Sequence, residues 1–164
     1  EVVFACHAPQ ALQLLQDATP AERQILGQFR TTRNETVLHT DSRLLPRASQ
    51  ARASWNYHLG ARRKSATLTY HMNRLQQLPT REDYCVTLND TESIESRNIL
   101  REMTYYHPLY DLEALRAQSR WGEISGPNRT HFCGAYWFYG FHEDGLNSAI
   151  RVSKALGVDW QGGA

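Results

Sequence analysis

Residues 134–145 read GAYWFYGFHEDG, and this stretch predicts a strand-turn-helix unit. A short apolar run ends at Gly134, aromatic residues fill most of positions 136–141, and Glu143 and Asp144 stand where a helix should begin. Such a unit brings free backbone N–H groups and the positive end of a helix dipole together. The stretch therefore predicts either a site for an anionic or carbonyl ligand or a tight connection packed by its own rings.

The first thirty residues predict a strand followed by two packing helices. Residues 2–6 form a β-branched apolar run, which is typical of a strand buried on both faces of a parallel sheet. We expect the neighbours of that strand to lie upstream of this sequence. A helix is predicted from residue 9, and Thr19-Pro20-Ala21-Glu22 predicts the start of a second one, because it places an N-cap, a proline at N1 and a glutamate at N3.

Between residues 53 and 89 the apolar side chains alternate with polar ones, which indicates strands with two unlike faces. The runs 53–58, 66–72 and 84–89 are separated by short loops, so a mainly antiparallel sheet is predicted. One face is apolar, and the other presents hydroxyls, amides and histidines. The polar face suits either solvent, which is the simpler interpretation, or the wall of a substrate cavity.

The remaining elements follow from local signals. A strand is expected over 99–106 and a helix capped by Asp111 after it. The last unit is predicted as a strand over 130–137 and a helix over 144–156, with Gly157 as the residue that ends it.

Composition narrows the class of protein only a little. The hydrophobic fraction of 41% and the net charge of +1 suit either an enzyme or a binding module. No apolar run approaches the roughly 18 residues of a membrane span, so we expect a soluble cytoplasmic protein without a transmembrane segment. The three cysteines lie far apart and form no C-x-x-C pair, which predicts free thiols and no metal site.

The closing segment resembles a known family. Residues 132–137, 139–145 and Ser148-Ala149 are similar to the carboxyl-terminal flavin motif of predicted NAD/FAD-binding oxidoreductases of the flavin-containing amine oxidase superfamily. Shorter stretches at residues 2–7, 37–41, 53–57, 70–76 and 84–89 also resemble this family. Phe138 stands where the family pattern leads us to expect glycine.

This resemblance implies an FAD-dependent oxidoreductase that transfers hydride from an organic substrate to the flavin. The residues expected at the flavin are Gly134, Ala135, Tyr136, Trp137, Tyr139, Gly140, Phe141, His142, Glu143, Asp144 and Gly145. The substrate would be a small or lipid-like molecule, and Trp55, Tyr57 and Tyr70 are the candidates for its cavity. No catalytic residue is assigned.

The implied architecture is α/β with α+β character, the carboxyl-terminal part of a two-domain FAD-binding fold. Residues 1–29 would supply a flavin-domain strand and helices, residues 30–110 the antiparallel substrate sheet, and residues 111–164 a helix with the returning flavin-domain strand and helix. The ten glycines include no G-x-G-x-x-G loop for the pyrophosphate. We therefore expect an amino-terminal dinucleotide-binding segment to be missing here, and the chain alone to be inactive.

A nucleic-acid-binding module is the alternative from a different class. Residues 1–80 contain ten Lys and Arg against five Asp and Glu, and the basic positions of segment 47–64 surround Trp55, Tyr57 and His58. Basic and aromatic side chains together can stack bases and neutralise phosphates. A basic loop on a solvated hairpin is the simpler interpretation of this segment, so no nucleic-acid partner is expected.

Overall fold

The computed structural model describes residues 1–59 and 67–160 of the chain. The chain divides into two compact units. Unit 1 comprises Glu1–Thr32 with Pro108–Ala164, and unit 2 is the continuous segment Arg33–His107. The predicted mixture of helices with a mainly antiparallel sheet is confirmed.

Unit 1 contains two short strands and most of the helices. The strands are β1 (Val2–Phe4) and β7 (Thr130–Phe132). The helices are α1 (Ala8–Leu14), α2 (Pro20–Leu26), α4 (Leu112–Gln118), α5 (Trp121–Ile124) and α6 (His142–Ala155). Their apolar sides meet in one core, which includes Ile25, Leu26, Phe29, Trp121, Ile124, Phe132, Tyr136, Trp137 and Val152.

The strands β1 and β7 pair in parallel, with Phe4 opposite Phe132 and the two rings stacked 5.6 Å apart. The indole of Trp121 donates a 2.8 Å hydrogen bond to the Phe132 carbonyl, which ties α5 to the pair. Val2 and Val3 are about half exposed. Parallel strands are normally buried within larger sheets, so this two-stranded pair presents apolar side chains and strand edges that further strands could cover.

Three of the predicted helix ends are confirmed by their contacts. The hydroxyl of Thr19 accepts from the Glu22 N–H at 3.2 Å, while the Glu22 carboxylate accepts from the Thr19 N–H at 2.7 Å. At α4 the Asp111 carboxylate accepts from the Ala114 N–H at 2.8 Å. Gly157 adopts a φ of +78° just after α6, as a glycine that ends a helix should.

Unit 2 is a five-stranded sheet in the order β3-β4-β5-β2-β6. Pairs β3·β4, β4·β5 and β5·β2 are antiparallel. The strands are β2 (Thr31–His39), β3 (Trp55–His58), β4 (Thr67–His71), β5 (Cys85–Leu88) and β6 (Ile99–Pro108), and the short helix α3 (Met72–Gln76) follows β4. Strand β6 is therefore an edge strand, and β3 is the other edge.

The sheet has the two unlike faces that the alternation predicts, but the interpretation of the polar face as solvated is wrong. The inner face is mostly buried and polar at Val37, His39, Thr67, Thr69, His71, Cys85 and Thr87. It continues on β3 at Asn56, which is half-buried, and at His58, which is exposed. The outer face is apolar and half-buried or exposed, and consists of Leu38, Trp55, Tyr57, Leu68, Tyr70, Val86 and Leu88. Alternation separates the two faces of a strand, but it does not say which face other parts of the chain cover.

Hydrogen bonds make burial of the inner face possible. The Nε2 atom of His39 lies 2.8 Å from the Thr87 hydroxyl, which lies 2.8 Å from the Thr69 hydroxyl. The other ring nitrogen, Nδ1, accepts from the Asp41 backbone N–H at 3.1 Å. This pattern assigns the ring proton to Nε2 and requires a neutral imidazole, because a protonated Nδ1 could not accept. The satisfied hydroxyls and ring avoid the cost of burying unpaired polar groups.

Two predicted elements are shorter than expected. The strand predicted over 130–137 ends at Phe132, because Gly134 turns the chain and Ala135–Trp137 form a 3-10 turn. The run predicted over 66–72 gives way to α3 at Met72, and Ala66 lies outside the described residues.

No helix within residues 1–59 and 67–160 is both long and apolar enough to cross a membrane.

We predict that acidification from pH 7 to pH 5 destabilises the protein partly through His39. Burial lowers the pKa of His39 in the folded state, whereas the unfolded residue gains a proton near pH 6.5. The unfolded chain then binds more protons, so the free energy of unfolding falls as the pH drops. Urea unfolding at both pH values should show that the free energy of unfolding falls more between pH 7 and pH 5 for the wild type than for H39Q. The exposed-histidine variant H58Q is the control and should keep the wild-type loss. Equal losses in the wild type and H39Q would contradict the prediction.

Candidate functional site

The turn after β7 is built around Gly134. Its φ of +152° lies in a region that L side chains rarely adopt, and its N–H donates a 2.8 Å hydrogen bond to the hydroxyl of Ser148 on α6. A Cβ at this position would approach the Tyr136 ring to 2.5 Å. Glycine is therefore required both by the backbone and by the space available.

Gln118, on α4, holds the aromatic turn from the other side. Its Nε2 donates to the Tyr136 carbonyl at 3.0 Å and to the Phe138 carbonyl at 2.5 Å. One side-chain amide thus satisfies two backbone acceptors of an irregular segment. The sequence offers no signal for this contact, because Gln118 lies 18 and 20 residues from its partners and reads as an ordinary surface position of a helix.

The aromatic residues of the turn divide into two groups. Tyr136 and Trp137 are buried and pack edge-on against Phe29 at 4.8 and 4.9 Å between ring centroids. Tyr139 and Phe141 are 72% and 71% exposed. The first group is core, and only the second is available to a flat ligand.

Burial raises the pKa of Tyr136, and the approach of the Trp137 indole N–H opposes that shift. The Tyr136 hydroxyl and the Trp137 Nε1 have no hydrogen-bond partner among the described residues. The Tyr136 hydroxyl remains neutral and protonated at physiological pH.

Phe138, which replaces an expected glycine, does not crowd the turn. Its φ is −138° and its ψ is −129°, and its half-buried ring packs against the core of unit 1. A glycine with a left-handed φ of +91° follows at Gly140, where the Tyr110 side chain fills the space beside the backbone.

The start of α6 combines a dipole with a fixed carboxylate. The Asp144 carboxylate accepts from the Tyr139 N–H at 3.1 Å and from the Phe141 N–H at 2.9 Å, which fixes the entry of the chain into the helix. Phe141 at the N-cap has no side-chain acceptor, so no side chain caps the N–H groups of the first turn. Since α6 has 14 residues, its dipole leaves partial positive charge at this uncapped end.

The predicted flavin residues are therefore brought together, but in two environments. Those that line the exposed start of α6 are Tyr139, Gly140, Phe141, His142, Glu143 and Asp144. Gly134, Ala135 and Gly145 lie where the turn meets the helix. A Cβ added to Gly145 would lie 3.9 Å from the Cβ of Ala135. Tyr136 and Trp137 point into the core.

The substrate-cavity candidates share one surface of unit 2. Trp55 is directly opposite Tyr70 in the β3·β4 pair, and Tyr57 lies two residues along the same face. Trp55 is 58% exposed and Tyr57 is 71% exposed. Burial raises the pKa of Tyr70, which keeps its hydroxyl protonated. The three side chains form an apolar outer face that a ligand could contact.

The basic segment proposed for nucleic acids is only partly described. Arg52 forms a 2.9 Å ion pair with Asp83 and donates to the Pro46 carbonyl, so it is engaged within the fold. Arg62, Arg63 and Lys64 lie outside the described residues. No observed contact favours the nucleic-acid hypothesis, which stays a prediction.

Neither metal ligation nor thiol chemistry finds a site in the described part of the chain. No group of three or more His, Cys, Asp or Glu residues in that part could hold a metal ion. Cys6, Cys85 and Cys133 are free thiols, as predicted. Burial raises the pKa of Cys85 to about 12 and also raises that of Cys133, so both thiols stay protonated and are poor nucleophiles.

We predict that G134A lowers the free energy of unfolding by at least about 2 kcal/mol, because alanine combines a strained φ with an overlap against the Tyr136 ring. Chemical denaturation measures the change. G122A is the matched control, since its added Cβ meets no atom within 4 Å, and it should be neutral or slightly stabilising. An equally stable G134A protein would contradict the prediction.

We also predict that D144A destabilises the protein by about 1–2 kcal/mol, because the N–H groups of Tyr139 and Phe141 lose their acceptor. D144N should fall between D144A and the wild type, since an amide oxygen accepts without a charge. E143A removes an exposed acid from the same helical turn and should change stability by less than about 0.5 kcal/mol. Thermal unfolding of the three variants measures these changes. If E143A and D144A destabilised the protein equally, the assigned role of Asp144 would be refuted.

No protein-family model matches this chain, and no curated protein matches it. Its function must therefore be inferred from the geometry of the two units.

Proposed function

We propose that the chain is the carboxyl-terminal part of an FAD-dependent oxidoreductase that transfers hydride from an organic substrate to the flavin. The observation that supports this most directly is the unit from β7 to α6. It joins a positive-φ glycine, exposed rings at Tyr139 and Phe141, and an uncapped helix start.

These residues fit the ring end of a flavin. The N–H groups of the first turn of α6 have no side-chain cap, so they can donate to the carbonyl oxygens of a ligand. At Gly145 an added Cβ would meet no atom closer than 3.9 Å, so a ligand can approach the backbone there. Tyr139 and Phe141 supply exposed aromatic surface on which a flat heteroaromatic ring can pack.

The bound flavin supplies the hydride acceptor, and the chain supplies orientation and electrostatics. The helix dipole and the preorganised N–H groups at the start of α6 favour negative charge that develops on a neighbouring ligand, and the carboxylates of Glu143 and Asp144 in the same turn partly offset this effect. Asp144 acts indirectly, because its carboxylate is held by two backbone N–H groups and keeps the start of the helix in place.

The pyrophosphate end of the cofactor requires residues that this sequence does not contain. The chain has no G-x-G-x-x-G loop. The β1·β7 pair offers parallel strand edges and half-exposed valines at positions 2 and 3. We infer that a dinucleotide-binding segment of the same protein adds strands to this pair.

In this proposal the outer face of unit 2 contacts the substrate. Trp55, Tyr57 and Tyr70 offer aromatic surface rather than charge, which suits a small apolar or lipid-like molecule. The described residues of this face include no acid, base or metal ligand, so the face would bind and orient the substrate.

Flavin content tests the proposal. The polypeptide that contains this sequence in its native cell should purify with one FAD per chain, which absorbance and release of flavin by heat would measure. The 164-residue chain alone should bind FAD weakly or not at all. A native polypeptide that neither contains nor takes up flavin would overturn the proposal, and stoichiometric FAD on the isolated chain would overturn the need for a further segment.

A pair of glycine variants tests where the flavin lies. In the native polypeptide, G145V adds bulk at the start of α6, where an added Cβ has an ordinary contact with Ala135, so flavin content should fall at least about tenfold while the fold survives. G122V adds the same side chain where no atom lies within 4 Å and should leave flavin content unchanged. Circular dichroism checks that both variants are folded. Full flavin content in a folded G145V protein would rule out this end of α6.

A further inference from the structure

We propose that a polar cavity in unit 2 binds a small hydroxylated organic anion, independently of the flavin chemistry. The cavity has a volume of about 470 Å³, which lies within the range of ligand pockets in proteins. The residues that matter for recognition are Arg43, Arg47, His58, Thr67, Thr69 and Ser93. All of them belong to unit 2.

The floor of the cavity is the inner face of the sheet. Asn56 is directly opposite Thr69, and His58 is directly opposite Thr67, so these two neighbouring rungs place their side chains on one face. Both threonines are at least 95% buried. The Thr69 hydroxyl is held at 2.8 Å by Thr87, which gives the floor a fixed arrangement of donors and acceptors before any ligand arrives.

Two arginines on the segment after β2 line the cavity, and they differ in what they already bind. Arg43 forms ion pairs with Asp41 at 2.5 Å and with Glu95 at 2.9 Å, so two carboxylates offset its charge. Arg47 is exposed and forms no ion pair with a residue in the described ranges. Arg47 is therefore the cation that a ligand can engage.

One acid also lines the cavity, and it is held by the protein. The Asp90 carboxylate accepts a 2.6 Å hydrogen bond from the Ser93 hydroxyl and is 92% buried. The cavity therefore has an exposed cation at Arg47 and a hydrogen-bonding floor at the two threonines.

This arrangement defines the chemistry of the ligand. A guanidinium binds two oxygens of a carboxylate or phosphate through parallel N–H groups, and such charge-assisted bonds are stronger than neutral ones. Threonine hydroxyls both donate and accept, so they suit ligand hydroxyls. The shared recognition element is an oxyanion on a hydroxylated carbon chain or ring, and its source is either a phosphate ester or a carboxylic acid.

Three probes distinguish these sources in titrations of the 164-residue chain. Ribose 5-phosphate presents a phosphate, gluconate presents a carboxylate, and ribose presents hydroxyls without charge. We expect saturable binding of at least one of the two anions by calorimetry, with amide chemical-shift changes in residues 43–47 and 67–69. Ribose should bind at least about tenfold more weakly, because it lacks a partner for Arg47. Binding of neither anion, or equal binding of ribose, would overturn the proposal.

Variants locate the binding energy in the cavity. R47Q should lower the affinity for the anion by about tenfold or more, because the charge-assisted pair is lost. R101Q removes an exposed arginine of β6 that does not line the cavity and should leave the affinity unchanged. T67V should weaken binding severalfold while keeping the shape of the floor. Circular dichroism checks that both arginine variants are folded. If folded R47Q binds the anion as tightly as R101Q does, the anion binds elsewhere.

Discussion

The backbone turn at Gly134, held by a hydrogen bond from its N–H to the Ser148 hydroxyl, is the constraint that sets the arrangement around the start of α6. It joins the end of β7 to α6 at the point where the backbone takes a conformation that only glycine adopts readily. Because the chain turns there, Tyr136 and Trp137 enter the core, while Tyr139 and Phe141 stay at the surface. The same turn leaves the first N–H groups of α6 without a side-chain cap. Packing, exposure and the proposed ligand surface thus share one cause.

The two units bury different kinds of side chain. Unit 1 buries aliphatic and aromatic side chains, whose transfer from water is favourable in itself. Unit 2 buries a face rich in threonine and histidine, and hydrogen bonds among His39, Thr69, Thr87 and nearby backbone offset part of the cost. Such a network defines a specific arrangement, and it also gives the unit a buried group that resists protonation. The outer face, which is the more apolar one, is half-buried or exposed.

The sequence predicts those features that depend on neighbouring residues. The capping box at Thr19 and Glu22, the cap at Asp111 and the glycine at 157 are local, and all three are confirmed. The side of the sheet that is covered depends on distant segments, so alternation alone led to the wrong face. Gln118 illustrates the same limit at the level of a single residue. Its role comes from two carbonyl groups that the fold brings close, and no spacing in the sequence marks it.

The division of the chain also has a consequence for the order of folding. Unit 2 is continuous, whereas the pairing of β1 with β7 joins residues that are 128 positions apart. Contacts between distant residues form slowly, because a long loop must close before they are gained. During synthesis the strand at residues 2–4 is made before its partner β7, which emerges only after the whole of unit 2. The valines of β1 therefore lack their β7 neighbour in the meantime, and apolar surface that is exposed in this way favours aggregation.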